Sequence, residues 1–397
     1  MALWNQLRAL FSVLPHWRRI HRSGGTGIRH RDLHDIASRI QPKRILLLRL
    51  DGLGDFILSL RAFSHFRRCF PEASLVILVG PGNLELARLT CLFDAVHSYP
   101  FFEQEQAGKR LTDEQLRDAL AELELGAFDI VVDMRHYGST RRLAASIDGQ
   151  LRAGFRALRK DDAFELLMPE FDSLPKGRRV HTSNRHMSLA AAVADAFARQ
   201  PAPERGDDFL AARGWRKRTG APDETVICIN PFSGRPIKDW PIAYFAVLAE
   251  QLNARPGTRI CILGDSPERN PGGRDKLISL PGAVDLGAHL PIDALMDRLV
   301  EADLYIGNDS GTTHLAAQLG VPTIAIMSGD VDIEVWRPIG ARVIVLRSDV
   351  PCAPCNLNTL TRCPVGHVCM TTILPETVLA AADELLRAGG RSAVLPS

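Results

Sequence analysis

Three short segments of this 397-residue sequence combine residue types that do chemistry together. The first is Leu50-Asp51-Gly52-Leu53-Gly54-Asp55, which leaves an apolar run and enters a helical pattern. Gly52 and Gly54 permit a tight turn and close approach of a ligand to the backbone, but no glycine completes a G-x-G-x-x-G dinucleotide fingerprint. Asp55 sits where a carboxylate can act as general base toward a hydroxyl, or can simply stabilise a helix N-terminus through the dipole. The second segment is Gly307-Asn308-Asp309-Ser310-Gly311-Thr312-Thr313-His314, again between a strand pattern and a helix pattern. Consecutive N–H groups from Ser310, Gly311 and Thr312 at a helix start suit phosphate oxygens, and no P-loop lysine accompanies them. His314, in the first turn, either donates to the same phosphate or is structural. The third runs from Asn230-Pro231-Phe232-Ser233-Gly234 to Lys238-Asp239-Trp240-Pro241. Lys238 is suited to neutralise a departing diphosphate, or is an ordinary surface lysine.

A fourth group is Cys352-x-x-Cys355 with Cys363, His367 and Cys369. Four thiolates can hold a tetrahedral zinc, yet the later separations are unlike paired zinc knuckles. Reduced structural thiols and disulfides are the other readings, and no metal is assigned. Cys69, Cys91, Cys228 and Cys261 each lie within or beside an apolar stretch and read as core thiols.

The elements that must position these segments are legible as alternating apolar runs and amphipathic stretches. In the first half, strands are expected over Arg44–Leu50, Ser74–Gly80 and Phe128–Asp133, with helices over Phe56–Phe70 and Arg185–Arg199. The stretch from Pro201 to Asp223, charged and bearing three prolines, marks a seam, after which the pattern restarts. Strands are then expected over Thr225–Asn230, Arg259–Gly264, Asp303–Gly307, Pro322–Ser328 and Arg342–Arg347. Helices are expected over Ile242–Asn253, Ile292–Glu301 and Thr312–Leu319. Near-continuous apolar strands separated by helices indicate parallel sheets covered on both faces, hence two doubly wound domains with a ligand cleft at the strands' carboxyl ends.

Composition narrows the function classes. Apolar residues at 46% and charged residues at 24% indicate a folded chain, and a net charge of +2 gives no nucleic-acid signature. No apolar run reaches the length of a membrane span, and no secretory signal opens the chain, so a cytoplasmic compartment is expected. Residues 1–22 space Leu3, Leu7, Leu10, Phe11, Leu14 and Trp17 along a helical face with Arg8, Arg18, Arg19 and Arg22 nearby. This segment either lies on an anionic membrane surface or docks on its own domain.

In chain order, RILLLRLDGLGDFILSLRAF, NPFSGRPIKDWP, DLYIGNDSGTTHLAAQLGVPTIAIMSG and PCAPC…RCPVGHVC resemble glycosyltransferase family 9, which includes the ADP-heptose:lipopolysaccharide heptosyltransferases. The resemblance covers most of residues 44–380 and implies an α/β fold of GT-B type, two Rossmann-like doubly wound domains facing across a cleft. The expected division is an amino-terminal extension and linker (1–43), an acceptor domain (44–222) and a nucleotide-sugar domain (223–397). By the same resemblance Asp55 is the catalytic base, with Gly52 and Gly54 in its acceptor-side loop. Lys238 and His314 act on the leaving group. The donor-binding set would be Asp309, Ser310, Gly311, Thr312 and Thr313, together with Ser233 and with Glu268 on the nucleotide ribose. Arg159, Lys160, Arg178 and Arg179 either meet an anionic acceptor or are solvated. The implied reaction is a single inverting displacement from a nucleotide sugar, ADP-heptose as substrate, onto a lipopolysaccharide-core or lipid-linked glycan, without cofactor or metal. Two other readings compete. A nicotinamide-dependent oxidoreductase would want an acidic residue where Gly80-Pro81-Gly82 stands, and a non-catalytic sugar-nucleotide-binding protein would not need Asp55, Lys238 and His314 together.

Overall fold

The computed structural model describes residues 30–106, 108, 111–136, 138–156, 163–168, 179–202, 224–264, 272–287 and 290–389. The first sheet contains β1 (Arg44–Arg49), β2 (Ser74–Val79), β3 (Ala95–Ser98), β4 (Phe128–Asp133), β5 (Gly149–Phe155) and β6 (Leu166–Met168). The second contains β7 (Thr225–Asn230), β8 (Thr258–Ile262), β9 (Val284–Asp285), β10 (Leu304–Asn308), β11 (Thr323–Ile326) and β12 (Val343–Leu346). Their orders are β3-β2-β1-β4-β5-β6 and β12-β11-β10-β7-β8-β9, with every pairing parallel. Counted from its own first strand, each sheet therefore runs 3-2-1-4-5-6, the dinucleotide-fold order. The order reverses between β1 and β4 and between β7 and β10, where such sheets open a crevice.

Six helices matter for the site: α1 (His30–Arg39), α2 (Leu53–Cys69), α3 (Thr182–Ala196), α4 (Ile292–Glu301), α5 (Gly311–Gln318) and α6 (Pro375–Gly389). Strand periodicity explains why both faces of each sheet are covered. Ile45 and Leu47 of β1 join one apolar cluster while Leu46 and Leu48 join another on the opposite face. In β7, Val226 and Cys228 face one cluster and Ile227 and Ile229 the other. The cluster holding Ile45 and Val226 is continuous across both domains. It runs from Phe56, Phe63 and Phe66 of α2 to Met296 and Leu299 of α4 and Leu315 and Ala316 of α5.

Several elements differ from the sequence expectation. Helix α2 starts at Leu53 rather than Phe56, so Asp55 lies inside its first turn. β3, β5, β6 and β9 were not anticipated, because each is short or interrupted: Arg152 stands within β5, its guanidinium turned back to the carbonyls of Ala144, Ile147 and Gly149. Helix α1, assigned to the 1–43 extension, packs on the first domain, with Ala37 buried and Leu33, Ile36 and Ile40 against the central cluster. Residues 1–29 and most of the expected seam lie outside the described residues.

Candidate active site

Asp55 is aimed by the turn that precedes it. Gly52 caps α2 in an extended conformation without a side-chain bond, and its carbonyl accepts from Phe56 N at 3.1 Å. The carboxylate is therefore not spent on capping, and 31% of the Asp55 side chain is exposed. Arg49, at the end of β1, donates to its Oδ1 at 3.1 Å. Burial raises the Asp55 carboxyl above its ordinary range; the Arg49 cation opposes this, Asp51 adds to it, and His314 and Lys238 also oppose it. Lys238 and His314 belong to the other domain, so the carboxylate shares its electrostatic neighbourhood with side chains from across the domain boundary.

That second group is built at the β7/β10 crevice. Lys238, at the end of a short 3-10 turn (Pro236–Lys238), donates Nζ to Asp309 Oδ2 at 2.6 Å, and His314 Nε2 lies 3.6 Å from Asp309 Oδ1. Burial alone would raise the Asp309 carboxyl, but Lys238 and His314 override it and hold it well below the usual carboxylate range. His314 Nδ1 is buried with no hydrogen-bond partner among the described residues. Ser310 caps α5, its Oγ accepting from Thr313 N at 3.4 Å. Gly311 and Thr312 thus contribute the first N–H groups of α5, which no helical carbonyl satisfies, at the positive end of the dipole.

The two assemblies touch. A Cβ on Gly54 would lie 3.0 Å from His314 Cδ2, and one on Gly311 would lie 2.7 Å from Leu53 Cβ. Both glycines are therefore needed for the first turns of α2 and α5 to meet across the domain boundary. The Cβ direction of Gly311 points at Leu53 of the first domain. A second crossing lies nearby, where Arg179 pairs with Asp332 at 3.2 Å and His181 Nε2 meets the Arg337 carbonyl at 2.9 Å.

Other expected residues take supporting places. The Ser233 hydroxyl is engaged inside its own turn, 2.5 Å from Asp239 Oδ1 and 2.8 Å from the Arg235 carbonyl. Thr313 is buried, its Oγ1 3.2 Å from Tyr305 Oη and 3.1 Å from Ser310 Oγ. Glu268, Arg159, Lys160 and Arg178 lie outside the described residues. Asn308 was not singled out beforehand: its Oδ1 accepts from Trp240 N at 3.0 Å and its Nδ2 donates to the Pro231 carbonyl at 2.7 Å. It binds the lysine-bearing segment to the β10 loop. All eight cysteines are free thiols. Burial pushes the Cys369 thiol up, the Gly329 backbone opposes this, and Cys355, Cys352 and Cys363 add to it. Among the described residues no group of three or more His, Cys, Asp and Glu side chains is arranged to hold a metal. His367, from this loop, contacts the Ile237 carbonyl through Nε2 at 2.8 Å and so supports the turn that carries Lys238.

Two parallel-sheet domains of order 3-2-1-4-5-6, one bearing Asp55 at its crevice and the other the helix start that follows Asp309, have the GT-B architecture of glycosyltransferases. The sequence profile of glycosyltransferase family 9 (heptosyltransferase) matches residues 117–364, and the chain belongs to that family. Lipopolysaccharide heptosyltransferase 1 of Pseudomonas aeruginosa is 25% identical over 367 residues, covering 87% of this chain and 98% of that protein. Lipooligosaccharide heptosyltransferase 2 of Campylobacter jejuni is 35% identical over 99 residues, covering 24% of this chain and 30% of that protein. In fold, the chain is similar to E. coli heptosyltransferase WaaC with ADP-2-deoxy-2-fluoro heptose, with a TM-score of 0.65 at 16% identity over 86% of this chain and 99% of that one. The family assignment excludes the oxidoreductase reading.

Proposed function

We propose that this enzyme transfers heptose from ADP-heptose to a hydroxyl of a lipopolysaccharide-core glycan, with inversion at the anomeric carbon. The donor and acceptor are those of the relatives' names. The observation that carries the reading is the direct contact of two helix starts, one bearing Asp55 and the other Asp309, Gly311, Thr312 and His314, with Lys238 alongside. Asp55 accepts the acceptor's proton as its oxygen bonds to the anomeric carbon, and the bond from that carbon to the diphosphate breaks. Gly311 and Thr312 amides, His314 and Lys238 stabilise the departing diphosphate. A carboxylate is a weak base toward a sugar hydroxyl, so the proton moves late, once the attacking oxygen has become acidic. Glu268 is assigned to the donor ribose. Ser233 and Thr313 support the donor site through the turns they hold.

The test is ADP release from ADP-heptose in the presence of delipidated core acceptor, alongside a panel of nucleoside diphosphates read by thermal shift. Stabilisation by ADP above the other diphosphates is expected, and preference for another nucleotide would overturn the donor assignment.

We further propose peripheral contact with the cytoplasmic face of the inner membrane through residues 1–22. Their apolar stripe and arginines support this, and among the described residues no helix is long and apolar enough to cross a membrane. Because α1 packs on the first domain, the informative truncation begins at Gly27. Loss of binding to anionic vesicles with retained transfer to soluble acceptor is expected; equal binding by both chains would refute the contact.

A further inference from the structure

Arg49 uses every part of its guanidinium at the root of the site. Its side chain is 1% exposed. Nε and Nη2 donate to the Asp55 carbonyl at 3.2 and 3.1 Å, and Nη2 also reaches Asp55 Oδ1 at 3.1 Å. Nη1 donates to Asp51 Oδ2 at 2.8 Å and to the Met134 carbonyl at 3.2 Å. One planar fork thus ties the end of β1, the first turn of α2 and the chain leaving β4, the three strands of structure that form the first domain's crevice. Asp51 is fixed from its far side by Arg135, whose Nε lies 3.0 Å from Oδ1. Ser59 adds a third donor to the Asp55 carbonyl at 2.8 Å and faces His186 Nδ1 at 3.1 Å.

We infer that Arg49 is the positioning residue of the transfer reaction: it pins one oxygen and the backbone carbonyl of Asp55, leaving the other oxygen to meet the acceptor hydroxyl. This rests on the reading of Asp55 as the base. Geometry and charge contribute separately. The fork fixes the carboxylate's rotation, a task that needs several donors in one plane and that an ammonium cannot reproduce. The charge opposes the upward pull of burial on the Asp55 carboxyl. The groups facing Asp55 are Arg49 and Asp51 from the first domain and His314 and Lys238 from the second. Arg49 is the only one of these hydrogen-bonded to the Asp55 side chain among the described residues.

Two substitutions separate the contributions, with kcat followed against pH using ADP-heptose and delipidated core acceptor. Arg49→Met should lower kcat at least about 10-fold, and should move the acid limb of the profile upward by about one to three pH units through loss of an adjacent cation. Arg49→Lys should restore the limb and only part of kcat. ADP affinity by calorimetry should be unchanged in both, because the diphosphate site belongs to the second domain; it also reports that the chain has folded. The Asp55 carboxyl titration, followed by carbon-13 NMR with Asp55→Asn to identify the resonance, gives the same comparison without turnover and serves even if the substrates are misassigned. An unmoved titration in Arg49→Met, or full turnover in either variant, would overturn the inference. If Asp55→Asn itself retains turnover, the base assignment fails, independently of Arg49. Should Arg49→Met fail to fold, Arg49→Lys decides alone: full kcat overturns the inference, whereas reduced kcat with unchanged ADP affinity and an unmoved limb supports it.

Discussion

Lys238 and Asp309, 71 positions apart, meet at 2.6 Å as a nearly enclosed ion pair, their side chains 17% and 5% exposed. The pair holds the lysine beside the crevice before any diphosphate arrives. Lys238→Ala leaves a buried carboxylate whose remaining ion-pair partner among the described residues is His314 and should cost about 3 kcal/mol of stability. Lys238→Met with Asp309→Asn should recover most of that stability yet leave turnover low. A thermodynamic cycle from urea unfolding of the four proteins measures the coupling.

The depressed Asp309 carboxyl has a stability consequence whose sign is fixed. A group that loses its proton more readily when folded contributes stability above the unfolded pKa, near pH 4, and that stability fades as pH falls toward the folded value. Below about pH 4, Asp309→Asn should therefore flatten the acid dependence of Tm relative to the unsubstituted chain. Parallel acid limbs in the two proteins would remove the pair from the acid response.

Substitution at Gly311 should act through Leu53. An added Cβ meets Leu53 at 2.7 Å, so Gly311→Ala strains the contact between the two helix starts before any ligand is considered. Turnover should fall more than ADP affinity, and Leu53→Gly, which removes the opposing Cβ as well, should partly rescue it by giving the methyl room. Calorimetric titration with ADP beside a turnover assay separates the two effects.

Asp55→Asn should lower turnover by about 10²–10⁴-fold, the usual worth of a positioned base, with ADP affinity little altered. Near-normal turnover would take Asp55 out of the mechanism.

His367→Ala removes the contact to the Ile237 carbonyl and loosens the turn that carries Lys238. A single hydrogen bond of about 1 kcal/mol converts to a several-fold loss of ADP affinity. Unchanged affinity would show that Asn308 alone suffices to hold the segment.

The parts of this site that lie close in sequence were the legible ones. β1, β7 and β10 announce themselves as unbroken apolar runs because both of their faces are covered, and the loops after β1 and β10 carry the small residues that their turns need. Pairings over long separations were not legible: nothing local says that Lys238 finds Asp309, or that Asn308 bridges back to Pro231 and Trp240. Arg49 was overlooked although it stands within the first apolar run, since nothing local shows that its guanidinium turns back to Asp51, Asp55 and Met134. Helix α1 was not legible for a related reason. Its few apolar residues, Leu33, Ile36, Ala37 and Ile40, become a packing face only once the first domain supplies the opposite surface.

The apolar cluster that passes unbroken from α2 to α4 and α5 bears on how the chain comes apart. Two domains joined only by a linker melt independently, whereas halves that share buried surface lose their separate thermodynamic existence. Calorimetry of this protein should give one endotherm with matching calorimetric and van't Hoff enthalpies, shifted as a whole by ADP. Either half expressed by itself would present Phe56, Leu299 and their neighbours to water and should aggregate. A tilt of one half on the other about the α2–α5 contact would keep this surface buried, whereas a parting of the halves would expose it.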